Sequence, residues 1–329
     1  MTTAALVAVL PALVAAIVIA LLHRSRWAGL LADRPNERSL HTRPTPRLGG
    51  PGLLVASLPF VAASALPAAV PIVACAVFLA VISLLDDARP LPVQVRLPAH
   101  TVAAMIAVLS IGAAPLGDWG WAAAAVLTLG CVWMTNLFNF MDGSDGLAGG
   151  MAAIGFTAFA IAAFRGGFTA LALASLALAS GSLGFLWHNF PPARVFLGDS
   201  GSIPLGFLAY GLGLQGLAMG AWAAWFPVLV FSPFIVDATV TLLRRLFARR
   251  PLASAHRDHA YQRLVLSGWS RRRLASCAYV LIALAATSAL VANEAGAQVR
   301  SAIILAWLAI YPAMLFAIER RMAGPRRAA

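Results

Sequence analysis

Eleven apolar runs, each long enough or nearly so to cross a bilayer, leave this chain little choice but a bundle of membrane helices. A transmembrane helix needs about 20 mostly apolar residues. Such runs fall at 4–22, 50–68, 70–85, 95–114, 119–138, 147–164, 168–188, 202–217, 221–243, 274–292 and 300–318. The second and third are short and meet at Pro67 and Pro71, which predicts a hairpin there. The segments between runs are too short for a soluble domain. The expectation is therefore an all-α, polytopic integral membrane protein of about 11 transmembrane helices, one membrane-embedded unit over 1–329. The first run is followed by His23, Arg24, Ser25 and Arg26 rather than by a small-residue cleavage site, so it reads as a retained helix and not a signal peptide.

Composition narrows the chemistry. With 61% apolar and 11% charged residues, a soluble enzyme and a disordered chain are excluded. All 24 basic residues are Arg, so mechanisms built on Lys, such as a Schiff base or a Walker-type phosphate loop, are excluded as well. Cys75, Cys131 and Cys277 are far apart inside apolar runs, with no metal-ligand spacing and no disulfide framework. The net charge of +12 points to a membrane surface rather than nucleic acid, because the apolar fraction is so high.

Arginine also sets the orientation. With the N-terminus outside and eleven crossings, 22 of the 24 arginines fall on the inner side, leaving Arg165 and Arg300 outside. The C-terminus is then cytoplasmic. Polar loops at 23–49, 86–96, 136–147, 189–202 and 244–273 all face the cytoplasm.

These five loops hold the unusual residues. Residues 33–50 are Arg- and Pro-rich, close on a Gly pair and include Arg47, a composition that suits an anion or an ordinary basic loop. Asp86 and Asp87 end one run against the negative end of a helix dipole, an awkward place unless a metal or an arginine compensates; Arg96 and His100 follow. In 136–150, Asn136, Asn139, Asp142 and Asp145 recur every three residues, a spacing that places them along one side of a helical turn. Asp199 sits in a Gly-Asp-Ser-Gly-Ser string after Asn189 and Phe196. That string lacks the strand–turn–helix context of a serine nucleophile. His256 and His259 stand three apart beside Arg257, a set suited to a diphosphate better than to zinc. Asp237 lies inside the ninth run, two turns before Arg244; it is either functional or part of an ion pair to Arg244 or a neighbouring helix. Many carboxylates beside many cations suit Mg²⁺ and phosphate groups.

The motifs PNxRxxHxxPxPRxGG, LDD, NxxNxxDGxDGLAGG, FxGDxGS and HxxHxYQRL follow one another along nearly the whole chain. In this the chain resembles the polyprenyl-phosphate N-acetylhexosamine-1-phosphate transferases, glycosyltransferase family 4, and within them the non-peptidoglycan branch and its O-antigen initiating enzymes. The resemblance implies transfer of a sugar-1-phosphate, an N-acetylhexosamine or its 6-deoxy form, from a UDP-sugar to undecaprenyl phosphate, with release of UMP. It implies Mg²⁺ as cofactor, with Mn²⁺ as a substitute, held by Asp199. Asp86, Asp87, Asn139 and Asp142 would form the catalytic face, with Asp86 the favoured candidate base. Asp145 and Phe196 would read the uridine; Arg96, His256, Arg257 and His259 would neutralise phosphates; Arg47, Asn136, Asn189 and Asp237 would support them. The enzyme would sit in the bacterial inner membrane with its site facing the cytoplasm, its partners the two substrates and the bilayer, without nucleic acid; dimers occur in the family. His-Arg-x-His replaces the three-His run of the muramyl-pentapeptide enzyme, so that donor is not expected. The alternative from another class is a secondary transporter of a nucleotide-sugar or other anion, which predicts ionisable residues near the midplane and repeated halves. No repeat is evident, and the acids of the five polar loops lie at one face, Asp237 excepted.

Overall fold

The computed structural model describes residues 3–35, 43–112, 120–251 and 256–323. Residues 36–42, the middle of the first motif, and the tail arginines Arg326 and Arg327 lie outside them. The described residues form fourteen helices and one two-stranded ribbon: α1 Thr3–His23, α2 Trp27–Leu30, β1 Ala32–Asp33, β2 Thr45–Pro46, α3 Gly49–Ala62, α4 Ala69–Ala88, α5 Val93–Ile111, α6 Gly120–Phe140, α7 Leu147–Arg165, α8 Thr169–Asn189, α9 Asp199–Ala218, α10 Trp225–Val230, α11 Ser232–Phe247, α12 Ala260–Leu266, α13 Arg271–Glu294 and α14 Ala297–Ala323. Ala32 pairs with Pro46 and Asp33 with Thr45, antiparallel.

Eight of these helices, α1, α4 to α8, α13 and α14, are long and apolar enough to cross a membrane. The other three expected runs are also helical but differ from a plain span. α3 has only 14 residues. α9 begins at Asp199, three residues before the apolar run, and takes a charge into its first turn. The ninth run breaks into α10 and α11 at Phe231, with Pro233 opening the second piece, where its missing N–H costs nothing.

The bundle is inverted relative to a soluble protein. Large apolar side chains point outward, among them Leu13, Val70, Trp121 and Leu305. The interior of α7, α8 and α9 is built largely on Ala, Gly and Ser. Without a hydrophobic drive between helices in lipid, close backbone packing through small residues holds them together. Gly184 of α8 is one such point: a Cβ there would lie 2.2 Å from the carbonyl oxygen of Ala12 in α1. Ser180 of α8 likewise enters the α1 backbone, accepting from Ala12 N–H at 3.0 Å and donating to the Ala8 carbonyl at 2.8 Å.

The polar motifs meet at one end of this bundle. Arg165 and Glu294, which close α7 and α13, pair at 2.7 Å at the other. An acid and a base that sequence left isolated on the outer side therefore neutralise each other.

Candidate active site

The centre is where α4 ends and α9 begins. α9 starts after Gly198, whose φ of +74° suits a residue without a side chain, and a Cβ there would lie 2.7 Å from Asp87 Oδ2. The first amides of a helix have no partner within it. Asp87 supplies one from α4: Asp199 N–H donates to Oδ1 at 3.2 Å and Ser200 N–H to Oδ2 at 3.0 Å. The Asp87 side chain is 0% exposed, whereas that of Asp199 is 30% exposed. The two neighbouring acids of the LDD motif therefore do different things. Asp87 is sealed against the α9 start. Asp86 accepts from Leu91 N–H at 2.6 Å and from Arg96 Nη1 at 2.8 Å. Arg96 Nη1 lies 3.9 Å from Asp199, so one guanidinium spans the two carboxylates.

The first loop closes over this junction. Gly49 N–H bonds the Phe196 carbonyl at 2.9 Å, Gly50 N–H the Leu197 carbonyl at 2.8 Å, and Phe196 N–H the Pro46 carbonyl at 2.9 Å. This lacing places Arg47 2.8 Å from Asp33 and 3.4 Å from Asp87. Burial works against the Arg47 charge, but Asp33, with Asp87 and Asp199 behind it, overrides this and raises its pKa.

α6 and the turn after it bring the amides and acids of the third motif. Asn139 hydrogen-bonds the Asp199 side chain. Asn136 is turned to its own helix, donating to the Val132 carbonyl at 2.7 Å, and also reaches His100. Asp142 lies in the turn. Its carboxyl is held well above the usual carboxylate range, first by burial and then by the negative charges of Asp199 and Asp87, with Arg47 opposing. A native acid with a raised pKa binds more protons than the unfolded chain between its ordinary pKa and the raised one, so its contribution to stability falls as pH rises through that window. In chelator, the wild type is therefore expected to lose stability relative to Asp142→Asn as pH rises from 4 to 7. Thermal unfolding of both across that range checks it; parallel curves would refute the assignment.

The side of the site towards α13 is built by Asn189 and Asp145. Asn189 accepts from Gly146 N–H at 2.8 Å and donates to the Val195 carbonyl at 2.9 Å, stitching two motif loops together. Asp145 accepts from Ala193 N–H at 3.0 Å and faces Arg271 at 3.3 Å. A cleft of 260 Å³ lies here, lined by Asp145, Pro191, Pro192, Arg271 and Arg272.

The histidine motif divides. His256 is half-buried, 5.0 Å from the His259 ring, and its Nδ1 accepts from Asp258 N–H at 3.4 Å. Burial, then His259 and Arg245, lower its pKa, so it is neutral near pH 7 and presents Nε2–H as a donor. His259 is only 2% exposed and is stacked between Phe140 and Tyr261. Arg257 adjoins both in sequence. The ion pair of Asp237 with Arg244 is absent. Arg244 instead pairs with Glu319, while Asp237 accepts from Ala260 N–H at 2.8 Å and Tyr261 N–H at 3.2 Å and lies 3.5 Å from His259 Nδ1. Asp237 thus caps α12 from inside α11, as Asp87 caps α9. Asp237→Ala is expected to cost about 1–3 kcal/mol by stranding these amides. Lower thermal stability and faster proteolysis between α11 and α12 check it; an unchanged protein would rule out the cap.

Two partners carried no signal in the sequence: Asp33 holds Arg47 and Arg271 holds Asp145. Asp33 and Arg271 read there as ordinary loop charges, and pairing across 126 residues has no local pattern. Tyr261, the tyrosine of the last motif, donates to the Phe140 carbonyl at 2.9 Å.

Residues 69–217 match glycosyl transferase family 4. The chain is 30% identical to a probable undecaprenyl-phosphate N-acetylglucosaminyl 1-phosphate transferase of Bacillus subtilis over 277 residues, 80% of this chain and 77% of that one. It is 32% identical to the decaprenyl-phosphate N-acetylglucosaminephosphotransferase of Mycobacterium leprae, covering 85% and 84%. A phospho-N-acetylmuramoyl-pentapeptide-transferase of Shouchella clausii is 34% identical over 161 residues, 48% of this chain and 47% of that one.

Proposed function

This chain belongs to glycosyl transferase family 4, among the polyprenyl-phosphate N-acetylhexosamine-1-phosphate transferases, and on that premise we propose that the α4–α5–α9 junction is its reaction centre. The family transfers a sugar-1-phosphate from a UDP-sugar to a polyprenyl phosphate. A phosphate oxygen of the acceptor forms a bond to the β-phosphorus of the donor; the bond from that phosphorus to the bridging oxygen breaks, and the oxygen leaves with UMP. A phosphate monoester is largely dianionic near neutral pH, so the attack needs no proton removed. The chain's task is then to place two polyanions and offset their charge. Arg96, held by Asp86, faces the phosphates; His256 donates from a neutral ring and Arg257 completes that wall, while His259, expected there from the motif, is buried against Asp237 and supports the wall from behind. Asp86 is in this reading the anchor of Arg96 before it is a base. Asp87 is a positioning residue that fixes the start of α9.

The donor set fits a hard divalent cation. Asp199 is partly open and Asn139 and Asp142 stand beside it, all oxygen-bearing; after burial, Asp199 and Asp87 raise the proton affinity of Asp142, and Asp87 and Asp86 that of Asp199. Among the described residues no three acid, His or Cys side chains converge to hold an ion alone. Mg²⁺ suits that arrangement, because it is commonly bound by one or two carboxylates together with substrate phosphates and water. Asp199 would hold it with Asp142 or Asn139, and when bound it would neutralise charge on the diphosphate. Mn²⁺ would substitute.

Uridine would take the Asp145 side of the site, with Phe196 as the stacking ring. N-acetylglucosamine is the proposed sugar, since it is named in the Bacillus and Mycobacterium relatives. Undecaprenyl phosphate is the proposed acceptor, in a bacterial inner membrane with the site on the cytoplasmic face. The envelope glycan it would start is, from the motif likeness to O-antigen initiators, an O-antigen. Membranes supplied with undecaprenyl phosphate and a panel of UDP-sugars, with and without chelator, test this. The expected result is Mg²⁺-dependent UMP release with UDP-N-acetylglucosamine and a lipid product of matching mass. UMP release indifferent to chelator would refute the metal; a different sugar in the lipid would refute the donor.

A further inference from the structure

A second site opens on the membrane side, between α11, α12, α13 and α14. It is an apolar groove of 520 Å³ whose walls include Phe234, Leu264, Leu281 and Leu315. α14 stands away from the bundle. Its only buried side chains among the described residues are Trp307 and Tyr311. Polar contacts pin it in two places. Tyr311 meets Ser232 by hydroxyl contact, and Glu319 pairs with Arg244 and with Arg263, whose Nη2 lies 2.7 Å away. The groove fills the interval between these pins.

One end of the groove is charged. Arg273 stacks over the Trp269 ring at 4.3 Å and Arg321 approaches the same ring at 5.8 Å. The Trp269 indole N–H is shielded and has no acceptor among the described residues. Both Trp269 and Arg321 line the groove. Neither Arg273 nor Arg321 has a carboxylate partner among the described residues, in contrast to Arg47, Arg96, Arg244, Arg245, Arg263 and Arg271. Two guanidiniums without carboxylate partners, gathered on one aromatic ring at the end of a greasy groove, suit a phosphate with acyl chains attached.

We propose that this groove holds an anionic phospholipid of the surrounding bilayer, with its headgroup at Arg273, Trp269 and Arg321 and an acyl chain running towards Tyr311. Length favours a phospholipid over the polyprenyl acceptor. The ten residues from Tyr311 to Arg321 rise about 15 Å, half of a hydrocarbon core of about 30 Å. A phospholipid chain fills half the core; a long prenyl chain overruns it. Charge favours an anionic headgroup over a zwitterionic one, whose ammonium would meet two guanidiniums. Met141 and Leu147, which flank the turn of Asp142 and Asp145, form the back wall, so the bound lipid braces that turn.

The test uses the full chain in nanodiscs of phosphatidylcholine carrying a small fraction of photoactivatable phosphatidylglycerol. Label is expected on peptides of α13 and α14 lining the groove, with unlabelled phosphatidylglycerol competing and added phosphatidylcholine not. Arg273→Gln with Arg321→Gln should lower that labelling by about tenfold, and lysine at both positions should retain most of it. Ala278→Trp, which fills the groove and leaves both arginines in place, should lower it as well, so the proposal stays testable if the double variant misfolds. The KM for polyprenyl phosphate should stay unchanged in either variant. Label spread evenly around the bundle, or indifferent to all variants, would overturn the proposal. So would displacement of the label by polyprenyl phosphate, which would make the groove the acceptor's.

Discussion

Asp199→Asn is expected to lower Mg²⁺-dependent UMP release by about a hundred- to a thousandfold, the usual cost of removing one preorganised charge from a reacting centre. The protein should fold and insert normally. Asparagine fits the first turn of α9, and Asp87 bonds the backbone N–H of residue 199 and not its side chain. Removing the charge also relieves Asp142, whose raised pKa owes more to Asp199 than to any other single group. Thermal stability without metal should therefore hold or rise while activity disappears. UMP release and thermal unfolding on the same preparation read both effects. Full activity would remove Asp199 from the reaction, and with it the proposed metal position.

Asp87→Ala is expected to do the opposite in kind, losing stability and activity together. It strands the amides of Asp199 and Ser200 in a fully shielded place and takes from Arg47 one of its two ion-pair partners, leaving Asp33. An unmet buried hydrogen-bonding group costs about 1–3 kcal/mol, and each kcal/mol shifts the Tm of a chain this large by about 1–2 °C. Asp86→Asn is the companion measurement. It loosens Arg96 without disturbing the α9 start, so activity should fall with little change in Tm. An Asp87 variant with the wild-type Tm and no activity would instead place Asp87 in contact with substrate.

The helices were the legible part, because each apolar run is a local property of consecutive residues. The breaks were less so. Pro227 and Pro233 are visible in the ninth run, yet a proline inside an apolar stretch is compatible with a kink or a full stop. Asp199 shows a different limit. Hydropathy ended the loop at Ser202, but the helix begins three residues earlier, because an acid is stabilised at a helix N-terminus and its amides find Asp87. α12 was not expected, and its start depends on Asp237, a residue of α11.

The candidate site was legible as a set and opaque as an arrangement. Motifs brought Asp86, Asp87, Asp142 and Asp199 forward, since charged residues are scarce in this chain. Nothing local distinguishes Asp86 from its neighbour. One turns to Arg96 and the other under a helix that begins 112 residues later, and a step of about 100° around α4 makes the difference. Asp237 stood open between function and an ion pair; the fold uses it as a cap. His259 looked equivalent to His256, but only His256 is left half open.

The sequence by itself determined that this chain is a membrane bundle with its polar residues gathered towards one end, because hydropathy and charge act residue by residue against the bilayer. Only the tertiary structure decided what each acid does. A carboxylate's role depends on which amides, guanidiniums and other carboxylates surround it, and those arrive from helices more than a hundred residues apart. Asp87 and Asp199 are separated by 112 positions in the chain and by one hydrogen bond in space.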